Sequence, residues 1–196
     1  MIAPEDLPRV YKKQLHANEI VLLAYYIAAI NIESTYHALA GGDHEAFQGI
    51  LLADTFQMNE KGDMIDALLE DNSKRRKEQM ALDIRVIVGN PPYSTGQKNA
   101  NDNNKNVDYP KLDQRIADTY AQRSIMTSVR NLYDNYIRAI RWASDRIGNR
   151  GIIGFISGSG FIEKPAMDGM RKCLAEEYSS IYIVNLRGDT CCEKSG

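Results

Sequence analysis

The sequence predicts an α/β doubly wound domain, a mostly parallel sheet covered by helices on both faces. Three observations predict it. Short runs rich in apolar and β-branched residues alternate with longer segments of helical periodicity. No internal repeat and no Pro/Ser-rich linker interrupts that alternation. The composition, 43% hydrophobic and 26% charged residues over 196 positions, is that of an ordinary globular domain.

The elements follow in order. Pro4 and Pro8 punctuate a polar opening, and Gln14–Glu19 leads into an apolar segment, Val21 to Leu39. There Leu22, Leu23, Tyr26, Ile27 and Ile30 recur at helical spacing, so the segment reads as a largely buried helix, stopped by Gly41-Gly42. Gly49 to Ala53 is a short continuous apolar run closing on Asp54, the pattern of a buried strand. Asp63 to Gln79 reads as a helix with Met64, Ile65, Ala67, Leu68 and Leu69 inward and Lys74 to Lys77 outward. Ile84 to Val88 is a strand with a hard stop at Gly89-Asn90-Pro91-Pro92. Residues 94–108 are polar, Asn-rich and aperiodic, and long loops of this kind tend to be functional. Tyr109 to Tyr120 and Met126 to Ile147 read as helices, Gly151 to Ser157 as a strand, Glu163 to Tyr178 as a helix and Ser180 to Leu186 as a last strand. In such sheets ligands bind beyond the carboxyl ends of the strands. Functional residues are therefore expected just after Ala17, Ala53, Val88, Ser157 and Val184.

Composition narrows the function classes. The formal charge of −2 argues against a polybasic nucleic-acid binder, but it hides an asymmetry. Residues 1–80 carry 8 basic and 13 acidic groups, and residues 81–196 carry 16 and 13. The longest apolar run, Ile20 to Ile30, is too short to span a bilayer, and no basic-then-apolar leader follows Met1. Cys173, Cys191 and Cys192 form neither a disulfide framework nor a metal-binding pair. A cytoplasmic protein without a membrane partner or a metal is expected.

One tetrapeptide at a predicted strand end carries chemistry: Asn90-Pro91-Pro92-Tyr93. The Asn90 side chain offers a carbonyl acceptor, and Pro91 offers a backbone carbonyl whose direction the two prolines restrict. Tyr93 supplies a flat ring for stacking. Two acceptors aimed at one –NH2 group, beside an aromatic lid, suit an exocyclic amine on a planar conjugated system. Such an amine is a poor nucleophile because its lone pair is delocalised. Hydrogen bonds from both N–H groups favour a pyramidal nitrogen able to attack.

Val88-Gly-Asn-Pro-Pro-Tyr93 resembles the catalytic motif of the amino-methyltransferases that use S-adenosylmethionine. Three further segments, Ala17 to Glu33, Gly49 to Phe56 and Ile181 to Gly188, resemble a narrower group. That group is the methyltransferase region of the single-chain, type ISP-like restriction–modification proteins, which fuse a helicase to an adenine-N6 methyltransferase. The resemblance implies a Rossmann-like methyltransferase fold. It also implies that Glu19 holds the cofactor ribose hydroxyls and that Asp54 lies near the cofactor adenine amine. Asn90, Pro91, Pro92 and Tyr93 would then receive a target adenine flipped out of double-stranded DNA.

The chain departs from the family pattern in one respect. The family's first strand and glycine-rich cofactor loop precede the segment holding Glu19, and no strand-Gly-x-Gly-helix signal precedes residue 19 here. Residues 1–196 are therefore expected to be a partial catalytic domain, truncated at both ends and lacking that strand. Residues 1–80 would form its cofactor side and 81–196 its catalytic-motif side. Helicase, nuclease and target-recognition regions are expected in a full-length parent. A gap or an exposed sheet edge is expected where the strand is missing, between the strands ending near Ala17 and Val88. Two other readings remain open: a glutamine-amide protein methyltransferase, which shares the tetrapeptide, and an inactive truncated product with at most weak DNA binding.

Other features read blandly. Gly158-Ser-Gly160 lacks the third glycine of a dinucleotide loop, since residue 163 is Glu, and reads as a turn. Lys74 to Lys77 reads as a solvated helix face. Residues 109–150 hold 8 basic and 4 acidic groups, with Arg130, Arg138, Arg141 and Arg146 along one helical segment. A solvent face is expected for them before phosphate contact.

Overall fold

The computed structural model describes residues 2–60, 70–91 and 109–186. They divide into two compact units, one from Met1–Arg85 with Asp108–Lys111, the other from Val86–Val107 with Leu112–Gly196.

In the first unit, helix α1 (Leu7–Lys13) starts on a proline in its first turn and ends on Lys12 and Lys13, a charge order that suits the helix dipole. Its Tyr11 is buried, stacks on Tyr36 with ring centroids 3.8 Å apart, and donates to the Glu45 carbonyl at 2.7 Å. Burial, helped by the charges of Glu33 and Glu45, pushes the Tyr11 hydroxyl up to about 12. Strand β1 (Ala17–Glu19) and strand β2 (Ile50–Leu52) pair in parallel, with Glu19 opposite Leu52. Helix α2 (Leu22–Ala40) connects them and ends at Gly41, whose φ of +68° is natural only to glycine.

β2 is buried on both faces, as its continuous apolar run predicts. Ile50 packs with Tyr11 and Phe47 beneath Tyr25, Ala28, Ala29, Ile32 and Tyr36. Leu51 joins Ala53 and Met58.

α2 itself differs from expectation, because none of its residues is buried. The five residues whose spacing suggested a buried face, Leu22, Leu23, Tyr26, Ile27 and Ile30, are 52–70% exposed. The packed face is the one carrying Ala28 and Ala29, whose small side chains let the helix approach β2. The helix is apolar all round, so periodicity could not choose between its faces.

Helix α3 (Glu70–Ala81) corrects a second expectation. Arg76 is buried and donates to the Gln57 carbonyl at 3.0 Å, and Arg75 donates to the Ile50 carbonyl at 2.9 Å. The basic run is therefore split, with Lys74 and Lys77 exposed and both arginines turned inward. Asn72 is buried and forms a closed pair with Leu52, Nδ2 to the Leu52 carbonyl at 3.0 Å and the Leu52 N–H to Oδ1 at 3.1 Å. That amide occupies the place of a neighbouring strand, so the outer edge of β2 is satisfied by helix side chains. The residues predicted to face inward, Met64, Ile65, Ala67, Leu68 and Leu69, lie outside the described residues, as does the polar stretch 94–108.

In the second unit, strand β3 (Val86–Gly89) pairs in parallel with strand β4 (Ile152–Phe155). Helix α4 (Pro110–Ile116) continues into a π-turn over Ala117–Ala121. The helix expected from Met126 begins later, as a 3-10 turn at Arg130–Tyr133 and then helix α5 (Asn135–Ile147). Asp134 holds an extended conformation (φ −67°, ψ 144°) and breaks the two apart. A short helix α6 (Gly160–Glu163), a 3-10 turn at Pro165–Met167 and helix α7 (Asp168–Glu177) replace the single helix predicted over 163–178. Pro165 accounts for that interruption, since it lacks an N–H and restricts the residue before it.

Ile116, Tyr120, Leu132, Ile137, Met167 and Met170 form the fully buried centre of this unit. Two of the four arginines expected to face solvent, Arg138 and Arg141, are drawn into ion pairs, whereas Arg130 is exposed as expected. Arg141 is 3% exposed, donates to Glu177 and Asp145 at 2.8 Å each and lies over the Tyr120 ring. Arg138 forks onto Asp113 with both bonds at 2.7 Å.

The strands pair in parallel as expected, though the described residues do not show them as one sheet covered on both faces. Among the described residues the strands make two separate two-stranded parallel sheets. A continuous sheet needs a strand bonded to both pairs, and the described residues contain none. In the second unit, among the described residues, α5 packs on one face of the strand pair. Ile87, Ile153 and Phe155 are half-buried, whereas Val86, Val88, Ile152 and Ile156 are 60–76% exposed. Ser180–Leu186 forms no strand, and Ile181 to Val184 and Leu186 are exposed, because a β-prone segment needs a pairing partner to become a strand. Among the described residues no helix is long and apolar enough to cross a membrane.

Candidate functional site

The two candidate acids end neighbouring parallel strands of the first unit. Glu19 is the last residue of β1, and Asp54 follows β2 by two residues. The Ala53 N–H donates to the Glu19 carbonyl at 2.9 Å, so the chain leaves both strands side by side. Glu19 turns back toward the start of α2, where its Oε1 accepts the Val21 N–H at 2.8 Å. A carboxylate there is favoured by the helix N-terminus, and its second oxygen keeps its acceptor capacity.

Asp54 is held from two sides. Oδ1 accepts the Phe56 N–H at 2.9 Å in an Asx turn, and Oδ2 accepts the Tyr109 hydroxyl at 2.8 Å. Tyr109 is 5% exposed, and its ring meets that of Phe56 edge-on, centroids 5.3 Å apart. One residue on, the Lys111 N–H donates to Glu60 Oε1 at 3.0 Å. Sequence reasoning missed Tyr109 as a partner of Asp54 and took it for the first residue of a helix. The available signal was Pro110, because a residue before proline is pushed out of helical conformation and projects from the helix start.

In the second unit the candidate motif begins where β3 ends. Gly89 lies opposite Phe155, and the Ile156 N–H donates to the Gly89 carbonyl at 3.1 Å. A side chain at Gly89 would start 3.1 Å from the Phe155 ring, so the glycine makes room for that ring beside the motif. Asn90 is exposed and Pro91 is buried. Pro92 and Tyr93 lie outside the described residues, so the expected stacking ring is not placed. Beyond β4, Ser157 to Ser159 lead straight into α6, in keeping with a turn at Gly158. All four described candidates, Glu19, Asp54, Asn90 and Pro91, thus sit at the carboxyl ends of parallel strands.

The model of one protein family, described as the Eco57I restriction-modification methylase, matches residues 13–192. The chain belongs to that family. The chain is also similar to solved structures. A nuclease-deletion mutant of the Type ISP restriction-modification enzyme LlaGI, in complex with a DNA substrate mimic, is 48% identical. It matches with a TM-score of 0.84 over 90% of this chain and 15% of its own. The ATP-dependent Type ISP enzyme LlaBIII bound to DNA is 48% identical, with a TM-score of 0.81 over 88% of this chain and 12% of its own. DrdV, in a complex with DNA, is 41% identical, with a TM-score of 0.82 over 90% of this chain and 17% of its own. The chain thus spans less than a fifth of the length of each of these structures. No curated protein matches it.

Proposed function

We propose that residues 1–196 form part of an S-adenosylmethionine-dependent adenine-N6 DNA methyltransferase domain of a restriction–modification enzyme, acting in the cytoplasm. One observation carries this reading: every described candidate residue stands at the carboxyl end of a parallel strand, in the order acid, acid, Asn-Pro along the chain. Strand ends of this kind are where α/β sheets bind ligands.

The first unit suits the cofactor. Two carboxylates, each fixed by a backbone N–H, end adjacent strands. Carboxylates accept and do not donate, so the group bound there must present N–H or O–H donors. Glu19 would accept from the ribose diol and Asp54 from the adenine amine. S-adenosylmethionine supplies an electrophilic methyl group on its sulfonium. The glycine-rich turn that would hold its methionine portion is absent before Glu19, since the first glycine of the chain is Gly41. In this reading that turn, and the strand before it, come from sequence outside these residues.

The second unit suits the target. Asn90 Oδ1 and the Pro91 carbonyl would accept the two N–H groups of the target amine and turn its lone pair toward the methyl carbon. Tyr93 would stack on the base, a contact worth ~1–3 kcal/mol for bases on aromatic rings. Adenine N6 is paired and stacked in a duplex, so the base must leave the helix first. The DNA complexes of the three similar enzymes favour a DNA amine over a glutamine amide.

The test is methyl transfer from labelled cofactor to duplex DNA by these residues set in a full-length restriction–modification polypeptide, followed by digestion. Label is expected on adenine, and Asn90→Ala should lower transfer by about 10²-fold or more, the scale of one transition-state hydrogen-bonding group. Full transfer by Asn90→Ala, or label on glutamine, would sink this reading.

A further inference from the structure

We infer that Tyr109 is a positioning residue for the cofactor acid: its hydroxyl sets the plane of the Asp54 carboxylate and thereby sharpens recognition of an aromatic amine. The inference rests on Asp54 facing the cofactor adenine, as proposed above.

Asp54 is half-exposed at a strand end, where water could take either oxygen and the carboxylate could rotate about its bond to Cβ. Two donors prevent that. The Phe56 N–H holds Oδ1 at 2.9 Å, and the Tyr109 hydroxyl holds Oδ2 at 2.8 Å. Bonds to both oxygens fix the carboxylate plane, which a single bond does not. A carboxylate has about four lone-pair sites, so both oxygens retain capacity in a set direction.

Tyr109 is suited to this task because it is itself immobile. It is 5% exposed, its ring is held edge-on to Phe56, and the Lys111 N–H is tied to Glu60 just beyond it. Asp54 can accept only from a donor. An adenine amine satisfies that requirement, and the carbonyl oxygen of hypoxanthine repels it.

The experiment titrates these residues, set in a full-length restriction–modification polypeptide, with S-adenosylhomocysteine and with its inosine counterpart, in which a carbonyl oxygen replaces the amine. The wild-type chain should prefer the amine form. Tyr109→Phe keeps the ring contact with Phe56 and removes the hydroxyl. It should weaken the amine form about fivefold, an order-of-magnitude figure for one hydrogen bond, and leave the inosine form nearly unchanged. Asp54→Asn should remove the preference, and in that background Tyr109→Phe should have no further effect on the ratio. Thermal midpoints recorded alongside separate binding from folding. An unchanged preference in Tyr109→Phe, or equal weakening toward both ligands, overturns the inference, because a purely structural role acts on both alike. A wild-type polypeptide that binds both forms equally also overturns it, while leaving the assignment of Asn90 to its own methyl-transfer test.

Discussion

The strand pairs β1–β2 and β3–β4 are both short and parallel, and β2, β3 and β4 are all apolar in sequence, yet the pairs are finished differently. β2 is covered on both faces, and its outer edge is met by Asn72 and Arg75. β3–β4 is covered on one face, and its other face leaves Val86, Val88, Ile152 and Ile156 exposed. The difference teaches that a strand is closed off by particular polar side chains, not by hydrophobicity. An amide can imitate the N–H and C=O of a neighbouring strand, whereas Val and Ile can only wait for another surface. The same contrast reaches the candidate residues. The first unit ends its strands in carboxylates that are already held, and the second ends in a motif whose aromatic member the described residues do not include.

Three substitutions would break or sharpen this comparison, each read from urea denaturation of the chain. The largest effect is expected in the second unit, whose strand pair packs against α5, the helix that carries the buried Arg141. Arg141→Met takes the buried partner from Glu177, leaves Asp145 to Arg115 alone, and should cost about 3 kcal/mol, the lower end for breaking a buried ion pair because both acids are about one-third exposed. Adding Glu177→Leu should recover part of that loss, and a loss under about 1 kcal/mol would show that the pair does little for this unit.

A smaller effect is expected at the closed edge of the first unit. Asn72→Ala leaves the Leu52 N–H and carbonyl without their side-chain partners and should cost about 2 kcal/mol. Hydrogen exchange of the Leu52 amide should rise with it. Unchanged protection at Leu52 would mean that the amide pair does not seal the edge.

The smallest effect is expected on the outward stripe of α2. Leu23 is 70% exposed, and Leu23→Lys keeps a good helix former, so stability should move by no more than about 0.5 kcal/mol. A loss above about 1.5 kcal/mol would show that the stripe is covered in solution.

Much of this was legible in the residues alone. The alternation of elements, the stop at Gly41, the burial of Gly49 to Ala53 and the strand end at Asn90-Pro91 all follow from local patterns that the structure keeps. The position of Asp54 at a strand end was equally legible, because it closes an apolar run, whereas Glu19 follows polar Asn18 and was placed by the family resemblance. What failed to show was long-range. Tyr109 reaches Asp54 across 55 positions, and Arg75 and Arg76 turn toward backbone carbonyls of β2 and the turn after it. A charge run carries no mark of which charges will find partners.

The sequence by itself determined where elements start and stop, and which chemical groups stand at their ends, because caps, prolines, glycines and side-chain periods act within a few residues. Only the tertiary structure decided which face of α2 packs, which arginines are buried, how Asp54 is held and that the strands form two pairs. Those outcomes depend on which surfaces meet, and a helix apolar all round or a strand with two unpaired edges leaves that choice to its neighbours.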